Sequence, residues 1–343
     1  MWRLVILGAV GVAVGSQWPT LAAAERMLGR LSLGWVLLAV LAEVASFVFA
    51  AELQHHLLGA ARVRCARSLL VALTYASSAV SDVLPAGAAF SNRYTYRRLV
   101  RRDVRPGLAA WMLVVSATLS VAMLALLGLV GAQVRGLGVL CSTLGVIAGT
   151  ITIAAATGAV AALAWASRNQ SRFDTAMQRL GRVAEHAHRI THLGHGRKSG
   201  SEDETPLGNV SDPVVLGPRG WLRACALAVA NWVTDWTALA ATFVALGLHV
   251  PWSGLLWAYV ATQVAGSVPV LGCVGFAEGT MTVALACIGV QVAPAVAVVL
   301  TYRLLSFWIT LPTGWLASRY LTRAERSTTS PQTPTSGNAV IAA

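Results

Sequence analysis

Long apolar stretches separated by short polar or arginine-rich segments dominate the chain. Residues 108–133 and 137–166 carry no charged side chain, and each exceeds the roughly 20 apolar residues that cross a bilayer core of about 30 Å. Residues 33–57, 224–248 and 294–318 have a similar character with few charges. The pattern therefore predicts an all-α, polytopic integral membrane protein.

The first apolar stretch has two readings. Arg3 followed by apolar residues 4–18 is compatible with a signal sequence, and residues 21–24 form a weak cleavage site. No cleavage motif follows the stretch directly, so we favour a retained span. With it, the number of predicted full spans is about six.

Two other apolar stretches, residues 68–90 and 252–290, are broken by proline and glycine. The breaks contain Pro85 and Gly87 in the first stretch and Pro269 and Gly272 in the second. Arginine clusters flank the first stretch on both sides, and such clusters favour the cytoplasmic face. A full span between the clusters would place one of them on the outer side of the membrane, so we predict that the first stretch is a re-entrant hairpin. The proline and glycine break predicts a second hairpin at residues 252–290.

This topology divides the chain into two similar halves. Each half has a span, a broken hairpin and another span, the first hairpin opening to the cytoplasm and the second outward, which is typical of an inverted-topology repeat. We predict membrane halves at residues 1–166 and 224–320, a cytoplasmic loop at 167–223 and a disordered tail at 321–343. The arginines after residue 318 place the C-terminus in the cytoplasm, so we expect a multi-pass protein of the inner or plasma membrane.

Composition narrows the class further. With 56% hydrophobic and 12% charged residues and a mean hydropathy of +0.65, a water-soluble domain is excluded. The net charge of +12 sits in clusters beside apolar runs, so we expect no nucleic-acid partner.

The sequence offers little for a metal or a cofactor. His188 and His192 stand one helical turn apart, but a solvated helix explains them better than a metal site. The chain contains no phosphate-binding, dinucleotide or nucleophile-elbow motif, so we expect no cofactor.

Charged residues inside the apolar stretches are the strongest functional signal. Residues 224–318 contain three formal charges, Asp235, Glu278 and Arg303. An acid or base at the centre of a membrane helix costs about 2.5–3.5 kcal/mol, so such residues usually line a polar path or pair with each other. Asp235 shares a helix face with Asn231, which favours either a cavity patch or an interhelical hydrogen bond. Glu43 in residues 33–57 is a weaker candidate for the same path.

Three segments resemble a known family. LPAGAAFSNRYTYRRLVRRDVRPGLAAW (84–111), SVPVLGCVGFAEGTMTVAL (267–285) and VLTYRLLSFWITLPTGW (299–315) are similar to the flippase-like membrane domain of lysylphosphatidylglycerol synthetases. The resemblance places functional elements of the family on two groups of residues. The first group is Pro269, Gly272 and Glu278 with Arg303, Leu304 and Phe307, and the second is Pro85 and Gly87 with Arg93 downstream.

This chain departs from the family pattern at two points. Many relatives carry an acid soon after the first hairpin glycine, whereas here Asp82, before the glycine, is the available substitute. No soluble aminoacyltransferase domain follows the last predicted span, so we expect no enzyme activity.

The resemblance implies movement of a phospholipid or lipid-linked headgroup between leaflets. Arg303 and Glu278 would then form a gate that binds an anionic phospholipid or a lipid-linked glycan, and the alternative is a buried salt bridge that fixes helix register. Arg93 and the arginines after it either meet anionic lipid or only set topology, the second being favoured.

Rival functions are a scaffold for cell-envelope enzymes, a lipid-headgroup transferase and a lipid-phosphate carrier of the DedA-like class. A homo-oligomer or an envelope enzyme is a possible partner.

Overall fold

The computed structural model describes residues 29, 31–83, 87–135, 216–266 and 276–329. Within these ranges the chain forms nine α-helices and one π-helical turn, and no strand. The helices are α1 (Leu33–Ala60), α2 (Arg67–Val83), α3 (Gly87–Val100), α4 (Pro106–Arg135), α5 (Pro218–Ala245), α6 (Trp252–Gly266), α7 (Phe276–Cys287), α8 (Val292–Arg303) and α9 (Thr310–Thr329). The π-helical turn, Leu304–Trp308, joins α8 to α9. The predicted spans at residues 4–18 and 137–166 lie outside the described residues.

Membrane-spanning character is clear in three of the described helical segments. Leu33–Ala60, Pro106–Gly131 and Val292–Arg323 are long and apolar enough to cross a bilayer. These segments confirm the predicted all-α membrane architecture. Several large apolar side chains of α1 face outward, including Leu37 and Leu41, which are 59% and 56% exposed, as expected for a surface covered by lipid.

Helices α1 and α5 pack against each other in opposite directions along their whole length. The backbone N–H of Ser32, just before α1, donates to the carbonyl of Ala245 at the end of α5. At the other end of the pair, His56 contacts the carbonyl oxygen of Gly220 at 3.0 Å. Each helix has 28 residues, so the two ends match. We infer that α5 crosses the same apolar layer as α1, although Arg219, Arg223 and Asp235 lower its hydropathy.

The same helices also end in the same way. Arg62 follows the end of α1 with a φ of 60°, and Gly247 follows the end of α5 with a φ of 70°. In each case the next residue donates its backbone N–H to a carbonyl in the last turn of the helix, Val63 to Leu58 and Leu248 to Phe243. This left-handed C-terminal turn favours glycine, so a non-glycine residue such as Arg62 is uncommon there. Arg62 and Gly247 stand the same distance after the ends of their helices.

The two hairpins pack across the halves of the chain. Helix α2, the first limb of the first hairpin, packs on α9, while α6, the first limb of the second hairpin, packs on α4. The first limb of each hairpin therefore rests on the closing helix of the other half. Tyr75 in α2 and Tyr259 in α6 each precede the hairpin proline, Pro85 or Pro269, by ten residues. Together with the antiparallel α1–α5 pair, this exchange supports two inverted halves with the same construction.

Glycines allow close helix approach at both of these contacts. A Cβ on Gly314 of α9 would lie 2.5 Å from the Cβ of Ala79 and 2.7 Å from the carbonyl oxygen of Tyr75. At the corresponding contact, a Cβ on Gly131 of α4 would lie 3.1 Å from the backbone nitrogen of Trp257. Small residues at membrane helix contacts bring the backbones close enough for extensive dispersion contacts.

Several element boundaries differ from the sequence prediction. The first hairpin is longer than residues 68–90, because α3 continues to Val100 and carries arginines that were expected beyond the hairpin, at the cytoplasmic face. Helix α5 begins at Pro218 rather than at residue 224, since proline suits the first turn of a helix. The predicted last span, residues 294–318, is interrupted by the π-helical turn and continues to Thr329, so the helix extends into the segment predicted as a disordered tail.

Candidate functional site

Arg303 and Glu278 form a salt bridge between α8 and α7. The Nε of Arg303 donates to Oε1 of Glu278 at 2.9 Å. Glu278 lies in the first turn of α7, where the positive end of the helix dipole stabilises a carboxylate. The side chains are 28% and 23% exposed, so the pair is neither fully buried nor freely solvated. Both charges are thus satisfied at a position that another group can still approach.

The salt bridge lies where the last long helical segment is interrupted. Arg303 is the final residue of α8, and the π-helical turn Leu304–Trp308 follows directly. The guanidinium carbon of Arg303 lies 5.4 Å from the ring centre of Phe307, within the range of a cation–π contact. π-Helical turns inside α-helices are frequent at functional sites. The turn therefore positions Arg303 between a carboxylate and an aromatic ring.

Asp235 forms a second polar cluster, next to the first. Its Oδ1 accepts a hydrogen bond from the hydroxyl of Tyr302 at 2.5 Å, and its Oδ2 accepts from the hydroxyl of Tyr259 at 2.7 Å and from Gln263 Nε2 at 3.2 Å. The three donors come from α8 and α6, while Asp235 lies on α5. Of the two readings of Asp235, the geometry matches the interhelical hydrogen-bond site.

Glu43 of α1 completes this cluster. Its carboxyl group lies next to that of Asp235, and its side chain lies close enough to Tyr259, Tyr302 and Tyr75 for electrostatic interaction. The residue is 9% exposed. A residue that the sequence ranks as a weaker candidate thus lies in direct contact with Asp235, because α1 and α5 pack face to face.

The two clusters are joined through α8. Tyr302, which donates to Asp235, and Arg303, which binds Glu278, are consecutive residues. Arg303 also interacts electrostatically with Asp235. Asp235, Glu278, Arg303 and Glu43 therefore form one continuous polar site, built from helices of both halves of the chain.

The other predicted site residues lie away from the polar site or outside the described residues. Arg93 is exposed on α3, which packs on α2 and α4, whereas the polar site is built from α1, α5, α6, α7 and α8. The structure does not place Arg93 with Glu278 and Arg303. Asp82 lies in α2, and its side chain is not among those described; Pro85, Pro269 and Gly272 are outside the described residues.

Gly87 is the described residue of the first hairpin break. It begins α3, and a Cβ at this position would lie 1.9 Å from the carbonyl oxygen of Ser81 in α2. That distance leaves no room for a side chain. Glycine is therefore required here by the close return of the chain on itself.

Tyr259, Gln263 and Tyr302 are site residues that the sequence analysis missed. Tyrosine is common in membrane helices near the interface, so its presence alone indicated nothing. The available signal was the spacing of Tyr259 and Gln263, which places a hydroxyl and an amide on one helix face beside Asp235 in a neighbouring predicted span. The side chains of these two residues are in fact hydrogen-bonded to each other at 3.1 Å.

A separate charged cluster lies near the C-terminal end of α1. Oε1 of Glu52 is 3.5 Å from Nη2 of Arg67 and 3.6 Å from Nη2 of Arg223, and 3.9 Å from Nδ1 of His55. Arg67 begins α2 and Arg223 lies in the second turn of α5, and their side chains are 70% and 59% exposed. Ion pairs this exposed contribute little to stability. The cluster connects three helix ends.

Comparison with known proteins identifies the family of this chain. A search of curated proteins found no match. The family model described as "Lysylphosphatidylglycerol synthase TM region" matches residues 2–314, which include every helix that contributes to the polar site. The family suggested by the three sequence segments is thereby confirmed. The chain belongs to the family of lysylphosphatidylglycerol synthase transmembrane regions.

Proposed function

We propose that this protein is a membrane flippase or carrier that moves a phospholipid or lipid-linked headgroup between the leaflets of the inner or plasma membrane. The observation that carries the proposal is the Arg303–Glu278 pair, which is partly exposed at the interruption of a membrane helix. The headgroup would pass along the polar site while its acyl chains remain in lipid. Enzyme activity is not part of the proposal.

Arg303 has the chemistry to bind a phosphate. A guanidinium presents its N–H groups in a planar fork that matches two phosphate oxygens, whereas the bond to Glu278 uses the Nε–H of Arg303. An arriving phosphate would compete with Glu278 for the guanidinium. Since Arg303 is 28% exposed, such an exchange does not require the helices to separate first.

The ionic pair is also costly if it has only a structural role. Burying an ion pair in apolar surroundings often stabilises a protein no more than apolar packing of the same volume. A role for Arg303 and Glu278 in binding a polar cargo gives a reason for both charges to be there. We therefore favour the gate over an inert salt bridge.

The position of Asp235 argues against the transferase alternative. A general base needs an oxygen available to a substrate proton, whereas Asp235 accepts three hydrogen bonds from Tyr259, Tyr302 and Gln263. A non-catalytic scaffold for envelope enzymes is the remaining rival. It predicts that the wild-type protein alone transfers no lipid between leaflets.

Arginine clusters support the proposed orientation. The segment between α1 and α2 and helix α3 are rich in arginine, as is the end of α9. Under the positive-inside rule these ends face the cytoplasm, together with the C-terminus. An anionic phospholipid or a lipid-linked glycan would be the partner, and arginines such as Arg93 would add attraction to anionic lipid at the surface.

Lipid translocation in reconstituted vesicles tests the proposal. We expect Arg303→Ala and Glu278→Gln to reduce the transfer of a fluorescent anionic phospholipid at least about tenfold, the effect of losing about 1.4 kcal/mol of binding. Arg303→Lys should recover only part of the rate, because lysine cannot form the two-point fork. Arg319→Ala is the matched control, since Arg319 is stacked 4.3 Å from the ring of Trp315 outside the polar site. Wild-type transfer by folded Arg303→Ala protein would remove the gate, and absence of transfer by the wild-type protein would favour the scaffold.

A further inference from the structure

Glu43 and Asp235 lie side by side inside the membrane region. Each is about one helical turn from the hydrogen bond between Ser46 and Asn231 on the antiparallel helices α1 and α5, and the two carboxyl groups interact. Two carboxyl groups in contact can form a hydrogen bond only if one of them is a neutral acid, because a carboxylate has no proton to donate. Two carboxylates in contact would also repel each other strongly in apolar surroundings. The contact itself therefore indicates that the pair holds one proton.

The surrounding donors show which partner holds that proton. Both oxygens of Asp235 accept hydrogen bonds, from the Tyr302 hydroxyl on one side and from the Tyr259 hydroxyl and the Gln263 amide on the other. Arg303 adds a positive charge nearby. This environment suits an anion at Asp235, so Glu43 supplies the O–H of the pair.

We propose that Glu43 and Asp235 form a proton-binding site, and that its proton is transported together with the anionic headgroup in the same direction. The coupling rests on the function proposed above, whereas the proton site does not. A metal cation suits the cluster less well, because the described residues contain no group of three or more His, Cys, Asp or Glu side chains that could bind one.

The coupling follows from charge. When the proton leaves, the O–H bond of Glu43 breaks, the proton passes to water and two carboxylates remain in contact. An anionic phosphate at Arg303 would add further negative charge beside Asp235, so phosphate binding opposes loss of the proton. Coupling between two binding sites is reciprocal, so the proton in turn favours phosphate binding.

The groups that face Glu43 come from every part of the site. They are Tyr75 of α2, Asp235 of α5, Tyr259 of α6 and Tyr302 of α8. Of these, Asp235 carries a formal charge. Arg303 links the two events, because it interacts with Asp235 and binds Glu278 directly.

Infrared spectroscopy of the full-length protein in lipid tests the proton site without any transport. We expect a C=O band of a protonated carboxylic acid at neutral pH that Glu43→Gln removes and Glu52→Gln leaves in place. Glu43→Gln keeps the size of the side chain and a donor N–H toward Asp235, so it should fold. Absence of the band in the wild type, or a band unchanged by Glu43→Gln, would overturn the proton site.

A pH gradient across vesicles tests the coupling. We expect a gradient to accelerate transfer of a labelled anionic phospholipid from the acidic side at least about fivefold in the wild type and in Glu52→Gln, the low end of coupling between sites. Glu43→Gln should not respond to the gradient. Equal wild-type rates with and without a gradient, or acceleration from the basic side, would overturn the coupling. If the wild type transfers no lipid at all, the proposed function and its coupling fail, and the infrared band still decides the proton site.

Discussion

Ser46 of α1 donates a hydrogen bond of 3.0 Å to the side-chain oxygen of Asn231 in α5. The two residues are 185 positions apart, the same separation as between the first residues of the two helices, Leu33 and Pro218. They therefore occupy equivalent positions in the two halves. Because the helices run antiparallel, equivalent residues can meet only near the axis that relates the halves. The Ser46–Asn231 bond marks that axis.

This arrangement predicts a specific cross-link. In a chain without its native cysteines, Ser46→Cys with Asn231→Cys should be joined efficiently by a short bifunctional thiol reagent, because the native side chains are in hydrogen-bond contact. Val44→Cys with Asn231→Cys is the matched control. Val44 is 41% exposed on α1, so this pair should cross-link less efficiently. Mass spectrometry of digested protein measures the product. Equal cross-linking of both pairs would contradict the antiparallel helix pair.

The acidic residues of the polar site do not follow the symmetry of the two halves. The position equivalent to Asp235 is Ala50, and the position equivalent to Glu43 is Ala228, which is 1% exposed. Both acids therefore lie on the same side of the Ser46–Asn231 bond, toward the second hairpin. The two halves therefore share an architecture, while the acids Glu43 and Asp235 have no acidic counterpart at the equivalent positions.

The sequence predicted the charged members of the site better than their neutral partners. Glu278 and Arg303 were visible because ionised groups are costly in apolar stretches, and the structure brings them together. Tyr259 and Tyr302 were not, since a tyrosine hydroxyl is inexpensive near a membrane interface and becomes informative only once its partner is known. The contact between Glu43 and Asp235 depends on how α1 and α5 pack, which no local pattern specifies.

Sequence patterns likewise predicted some features of the fold and missed others. Proline and glycine predicted both hairpin breaks, but the first hairpin was predicted to end at Phe90 because the arginines after it favour the cytoplasmic face. Tertiary contacts explain the difference: Arg98 donates to the Thr322 hydroxyl at 3.1 Å, and Tyr94 contacts Ser318 at 3.3 Å. These contacts with α9 give polar side chains of α3 partners that the local sequence does not reveal.

Gly314 should be sensitive to even a small side chain. We expect Gly314→Ala to destabilise the protein by about 1–3 kcal/mol, because the new methyl group would meet Ala79 and the Tyr75 backbone. Gly279→Ala is the control, since nothing lies within 4 Å of a Cβ there. That change should be neutral or stabilise by up to about 1 kcal/mol, as alanine favours helix. Unfolding in mixed detergent micelles provides the comparison, and equal effects would argue against a close α2–α9 contact.

The re-entrant assignment of the first hairpin predicts sidedness. On a background without native cysteines, Ser91→Cys and Arg105→Cys should both react with a membrane-impermeant thiol reagent from the cytoplasmic side. Trp252→Cys, at the start of the second hairpin and 57% exposed in the wild type, should react from the opposite side. Labelling of inside-out and right-side-out vesicles distinguishes the cases. Reaction of Ser91→Cys and Arg105→Cys from opposite sides would show that the first hairpin is not re-entrant.

Tyr302 should stabilise Asp235 through its hydroxyl. We expect Tyr302→Phe to cost about 0.6–2 kcal/mol of unfolding free energy, the range for an interhelical hydrogen bond in a membrane, because Asp235 keeps its bonds to Tyr259 and Gln263. Tyr320→Phe, at a position 53% exposed, is the control and should change stability by less than about 0.5 kcal/mol. If both variants unfold alike, the Tyr302 bond adds nothing to stability.

The gate and the inert salt bridge make opposite predictions for an apolar replacement of the whole pair. Glu278→Leu and Arg303→Met alone should each destabilise the protein, because each leaves one charge without its partner, though by less than the 3–5 kcal/mol of a fully buried pair, since these side chains are partly exposed. The double variant removes both charges, so it should regain most of the lost stability, and the difference from the summed single effects measures the interaction. Under the gate, the double variant remains unable to transfer anionic lipid in vesicles although it is stable. A stable double variant with the wild-type transfer rate would show that Arg303 and Glu278 serve packing alone.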